Sequence, residues 1–152
     1  MTVQSGDKMP SGEFDVLSKS GPTSVSTADL FAGKKVVLFS VPGAFTPTCS
    51  NRHLPGFIDH TDEILAKGVD TIACMAVNDA FVMGAWGKDR GVGDKVLMLA
   101  DGNGDYTKAL GLEMDASDFG MGTCGRRFAI IVDDGIATHV AVEEPGKFEV
   151  SS

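Results

Sequence analysis

Residues 36–49 read Val-Val-Leu-Phe-Ser-Val-Pro-Gly-Ala-Phe-Thr-Pro-Thr-Cys. They constrain the chain more than any other stretch. The first six form an apolar, β-branched run after Lys34-Lys35, the pattern of a buried strand. Pro42 and Gly43 end that strand. Thr46-Pro47-Thr48-Cys49 then leads into a helical-looking segment over 50–64. Cys49 is thereby expected just after a strand, at a helix N-terminus, where unpaired N–H groups and the helix dipole favour a negative charge. Such surroundings lower a thiol pKa and yield thiolate, the nucleophilic form.

The remainder alternates in kind. A short strand is expected around 14–17, with a hairpin return at 23–26. Ser26 or Thr27 caps a short helix through Phe31, and Gly33 ends it. Pro55 lies inside the helical stretch and predicts a kink or break there. Residues 69–77 read as a second buried strand. Asn78-Asp79 caps a helix over 80–86 that Gly87 closes, and 95–100 read as a third strand. A Gly-rich loop at 101–105 precedes a short helix over 106–110, with Gly111 at its end. Residues 115–125 read as loop with a single turn. The segments 127–132 and 136–142 flank Asp133-Asp134-Gly135, a strong hairpin signal. Strands alternating with helices and closed by a hairpin imply an α/β sheet with helices on both faces.

At 152 residues, 43% of them hydrophobic, the chain suits a single domain spanning 1–152. The net charge of −8 and the lack of a basic cluster argue against a nucleic-acid surface. No apolar run is long enough to span a bilayer, and the N-terminal residues lack a secretory pattern. Three cysteines without framework spacing point to a reducing compartment. Cytoplasm is the expected location, and an organellar one after removal of a transit peptide stays open.

The motif Pro-x-x-x-Thr-x-x-Cys falls on Pro42, Thr46 and Cys49. With the longer text Val-Pro-Gly-Ala-Phe-Thr-Pro-Thr-Cys, this segment resembles the active site of the type II peroxiredoxins, the peroxiredoxin 5-like branch. Residues 76–86, 99–111 and 127–135 resemble the same branch, so the likeness covers about 3–150. It implies a thioredoxin-like fold with a central mixed sheet and an N-terminal hairpin. It also implies a thiol peroxidase that reduces hydrogen peroxide and small alkyl hydroperoxides through a cysteine sulfenic acid, recycled by glutaredoxin, glutathione or thioredoxin. Two other readings compete. One is a thiol–disulfide oxidoreductase on the same fold, disfavoured because the chain has no Cys-x-x-Cys. The other is a non-catalytic redox sensor.

The resemblance also assigns roles. Cys49 is the peroxidatic thiol. Thr46 hydrogen-bonds thiolate and peroxide, and Pro42 packs over the thiolate. Arg127 stabilises the thiolate and polarises the peroxide. The backbone N–H groups of Thr48 and Cys49 receive the substrate oxygen. Strand alternation allows only one of Arg126 and Arg127 to face the site; Arg127 is chosen, leaving Arg126 as an edge or interface charge. Cys74 reads as a buried strand residue, with a resolving role as the alternative. Cys124 reads as an exposed loop thiol, with a resolving or regulatory role as the alternative. Cys49 and His53 have a metal-like spacing, but no second ligand pair follows. No metal or cofactor is therefore expected, and His53, His60 and His139 are expected at the surface or an interface. The Gly-rich loop lacks the Lys-Ser/Thr of a phosphate site. Relatives continue into a final helix where this sequence stops at Ser152. A homodimer is expected around the active-site end, through Phe45, Phe81, Met83, Phe119 and Met121.

Overall fold

The computed structural model describes residues 2–46, 52–93 and 95–143. Its centre is a seven-stranded mixed sheet in the order β2-β1-β5-β4-β3-β8-β9. The strands are β1 (Glu13–Ser18), β2 (Gly21–Ser26), β3 (Lys35–Ser40), β4 (Thr71–Ala76), β5 (Leu97–Ala100), β8 (Phe128–Asp133) and β9 (Ile136–Val142). β6 (Glu113–Asp115) and β7 (Thr123–Gly125) form a separate small hairpin. The helices are α1 (Thr27–Phe31), α2 (Leu54–Asp59), α3 (Thr61–Ala66), α4 (Ala80–Asp89) and α5 (Asp105–Leu110). β3, β4 and β5 run parallel, while β8 and β1 join them antiparallel.

Alternation along the central strands builds two cores. Val36 and Leu38 of β3 meet Ala73 and Met75 of β4 and Phe128, Ile130 and Val132 of β8 on one face. Val37 and Phe39 meet Ile72, Cys74 and Ala76 on the other, beneath Leu54, Met83 and Trp86. Burial on both faces is why these strands read as continuous apolar runs rather than as alternating ones.

Local signals account for most boundaries. The Ser26 hydroxyl accepts from Asp29 N at 3.1 Å, and the Asp79 carboxylate accepts from Val82 N at 2.8 Å, so both caps form as the residue types demand. Asp134 (φ 48°) and Gly135 (φ 82°) take the left-handed geometry of a tight hairpin between β8 and β9.

Three expectations need correction. The helical segment does not break at Pro55, which sits in the first turn of α2, where a missing N–H costs nothing. It breaks at His60, and the Thr61 hydroxyl donates to the carbonyls of Phe57 and Ile58 at 2.9 Å each. Gly87 does not end α4, which runs on to Asp89. It is a contact glycine: a Cβ there would lie 2.9 Å from Met98 Cγ and 3.2 Å from Val92 Cγ2, and Gly84 likewise leaves room for Leu17 of β1. Finally, 115–125 is not plain loop. β6 and β7 pair across it, joined through a 3₁₀ turn at Ser117–Phe119 and the left-handed Gly120 and Gly122. Three-residue strands are too short to show a period.

Candidate active site

The register of the sheet sets this site. Ser40, the last residue of β3, pairs with Phe128, the first of β8. The chain leaves β3 through Val41 and Pro42 at the point where it enters β8 from Arg127. Two stretches about 85 residues apart in sequence therefore meet at one end of the central strands.

The loop after β3 is braced rather than free. Ala44 N donates to Asn78 Oδ1 at 3.0 Å, and Thr46 Oγ1 donates to the Gly43 carbonyl at 2.7 Å. Phe45 lies at φ 63°, the left-handed region, which costs a residue with a Cβ. Its ring tilts toward Trp86 at a centroid distance of 6.4 Å and stays half-exposed. Pro42 and Thr46 are half-buried and Gly43 is buried. The sequence offers Asn78 only as part of a helix cap. Asp79 caps α4, and Asn78 holds the loop instead. Thr46 has a single hydroxyl hydrogen, and Gly43 receives it. The lone pairs of Thr46 remain available to accept from a further group. Cys49 and Thr48 lie outside the described residues.

Arg127 is 9% exposed, and its Nη1 lies 2.8 Å from His53 Nδ1. Because a guanidinium only donates, Nδ1 is the acceptor. The expectation that His53 is a surface residue is wrong: it is 1% exposed. Its ring lies 4.9 Å from Phe39 and 5.5 Å from Phe57, which themselves stack at 4.1 Å. The backbone takes π-helical geometry at Arg52 and His53, just before α2, a widening often found at functional positions. His60 and His139 are exposed, as expected. No sequence signal singled out His53, because a lone histidine four residues after a cysteine has many uses.

Arg126 diverges from its neighbour, as alternation requires. Its Nη2 donates to the Glu143 carbonyl at 3.0 Å, and its amide donates to Leu112 O. It is half-buried and held within the chain rather than a free edge charge.

The other two thiols are inside. Cys74 is fully buried on β4, opposite Phe39 and Met98. Cys124 is not an exposed loop thiol: it sits on β7 opposite Met114, 3% exposed, and donates to Met121 O at 3.6 Å. Burial pushes its pKa up, away from the reactive form. The Gly-rich loop before α5 carries its own anion. The buried Asp101 carboxylate accepts from Tyr106 N (3.1 Å), Thr107 N (2.8 Å) and Thr107 Oγ1 (2.7 Å). It occupies the amides that a phosphate would need. Burial and then the charge of Asp101 push the Tyr106 hydroxyl upward in pKa.

Phe45, Phe81, Phe119 and Met121 stay at least 39% exposed, whereas Met83 is buried and drops out of the expected patch. No helix among the described residues is long and apolar enough to cross a membrane.

The sheet order, the braced loop after the central strand and the buried arginine beside it define a thioredoxin-like α/β protein with a candidate site between β3 and β8. Comparison with known proteins narrows this. The redoxin family model matches residues 4–152. Peroxiredoxin-2B of Arabidopsis thaliana is 50% identical over 148 residues, 97% of this chain and 91% of that protein. The chloroplastic peroxiredoxin-2E of the same plant is 48% identical over 155 residues, 99% of this chain but 66% of that protein. The crystal structure of reduced Prx3 from Vibrio vulnificus in complex with hydrogen peroxide superposes with a TM-score of 0.94. Its identity is 52%, over 99% of this chain and 94% of that one. The chain belongs to the redoxin family and, within it, to the type II peroxiredoxins, which are thiol-dependent peroxidases.

Proposed function

We propose that this chain reduces hydrogen peroxide and small alkyl hydroperoxides with Cys49 as the peroxidatic thiol. The Cys49 thiolate attacks one peroxide oxygen. An S–O bond forms as the O–O bond breaks, and the leaving oxygen takes a proton to become water or an alcohol. Sulfur is oxidised to sulfenic acid and the peroxide is reduced. A donor thiol then condenses with the sulfenic acid and releases water. A second thiol splits the mixed disulfide and restores Cys49.

Each neighbouring group has a share. Thr46, its own hydrogen engaged on Gly43 O, accepts from the O–H of the incoming hydroperoxide. Arg127 and the backbone N–H groups of Thr48 and Cys49 stabilise charge on the oxygens as the bond breaks. Pro42, without an N–H, limits access to the thiolate. The observation that carries this reading is the buried Arg127 guanidinium, which enters β8 beside the exit of β3 and is held there by His53.

Cys74 and Cys124 are both buried, which favours an external donor for the resolving step: glutaredoxin, glutathione or thioredoxin. The exposed Phe45, Phe81, Phe119 and Met121 support a homodimer through this end. The cytoplasmic reading rests on the cysteine usage alone.

Cys49→Ser is the decisive test. The serine hydroxyl is nearly isosteric but far less nucleophilic, so peroxide consumption should fall to background with the fold intact. Activity retained above background would reject the assignment.

A further inference from the structure

We propose that His53 is the positioning residue of Arg127, and that the peroxidase reaction requires its neutral, Nε2-protonated form. The inference rests on the peroxidase reading given above.

The contact itself sets the tautomer. Arg127 cannot deprotonate and has only hydrogens to offer. His53 Nδ1, at 2.8 Å, must therefore carry a lone pair, and the ring proton belongs on Nε2. The ring is not free to turn away. It is 1% exposed and wedged against Phe39 from β3 and Phe57 from α2, whose own stacking fixes the slot. A rigid acceptor thus aims a long, flexible cation. Orientation of this kind matters because a displacement of ~1 Å can cost about 10² in rate.

The same geometry gives a pH dependence with a definite sign. Protonating His53 turns the acceptor into a donor and sets an imidazolium against a guanidinium in a buried place. Arg127 loses this hydrogen bond, and the rate falls as pH drops through the His53 titration. Among the described residues the charged groups on this side are Arg127 from the start of β8, the buried Glu143, whose amide donates to Arg127 O at 2.9 Å, and Arg52, Asp59, His60, Glu63 and Lys67, which line the groove His53 borders along α2 and α3. Asp59, His60, Glu63 and Lys67 are exposed, where water screens them. Arg127 is in direct contact, at 2.8 Å.

Three measurements on the full chain test this. His53→Leu keeps the bulk and removes the acceptor, so the rate constant with hydrogen peroxide should fall roughly tenfold to a hundredfold. His53→Asn supplies a non-titrating oxygen near the Nδ1 position. It should restore most of that rate and remove the acid limb due to His53, leaving only the limb that thiol alkylation assigns to Cys49. In an Arg127→Ala background, His53→Leu should have no further effect, since a residue acting through another is not additive with it. Nitrogen NMR of the unmutated reduced protein reads the tautomer without reference to activity. An Nδ1-protonated ring, a wild-type rate in His53→Leu, or an equal loss in both backgrounds overturns the inference. Loss in Arg127→Ala with none in His53→Leu sinks the role of His53 alone. No loss in Arg127→Ala sinks the reading of Arg127 and this inference with it.

Discussion

Truncating the two adjacent arginines separately tests the site most sharply, because the structure gives them different work. Arg127 is buried, faces the same side of the sheet as Phe39, and contacts His53 at 2.8 Å. Arg126 points away and reaches the Glu143 carbonyl, while its Nε is buried with no hydrogen-bond partner. Arg127→Ala removes a preorganised donor from the breaking O–O bond, an effect of ~10²–10³ in rate, or about 2.7–4 kcal/mol in the barrier. Its effect on stability is smaller. A hydrogen bond from a charged donor is worth ~1.5–3 kcal/mol, and taking a buried cation out of the protein offsets part of that. Arg126→Ala loses one bond to a carbonyl and relieves one unsatisfied buried donor, terms of opposite sign and each about 1 kcal/mol. Its rate should stay within about tenfold of the parent, ~1.4 kcal/mol. The assay is the second-order rate of peroxide consumption at saturating donor, with thermal melts to separate folding from chemistry. If Arg126→Ala lost as much rate as Arg127→Ala or more, the strand register and the assignment built on it would both be wrong.

Three further outcomes are expected. Asp101→Ala strips three hydrogen bonds from the start of α5 and should cost about 2–4 kcal/mol, lowering Tm by roughly 5–15 °C; an unchanged melt would show that α5 does not depend on that carboxylate. After one equivalent of peroxide without donor, mass spectrometry should find Cys49 as sulfenic acid or its overoxidised products. A Cys49–Cys74 or Cys49–Cys124 disulfide as the main species would instead make resolution internal. Sedimentation at micromolar concentration should show a dimer that Phe119→Glu dissociates, and a monomer in both redox states would leave the exposed aromatics as pocket walls.

Much of this protein was written locally. The β-branched run of β3 and the Pro-Gly stop beyond it act within a few residues of themselves. The same holds for the Ser26 and Asp79 caps and for the Asp134-Gly135 turn, so all were legible in sequence. The motif around Cys49 was legible for the same reason; alternation required Arg126 and Arg127 to diverge, and the family resemblance chose between them. Tertiary structure decided what local chemistry cannot express. The contact between His53 and Arg127 joins residues 74 apart, and the brace from Asn78 to Ala44 joins residues 34 apart. Both exist only because the sheet register brings the end of β3 against the start of β8 and the end of β4. Gly87 looks like a helix stop until Met98 of β5 packs on α4. Cys124 looks exposed until a hairpin too short to show a period folds over it. Propensity and capping are energies of neighbours along the chain, whereas burial and side-chain pairing are energies of neighbours in space, and these are assigned when the strands pair.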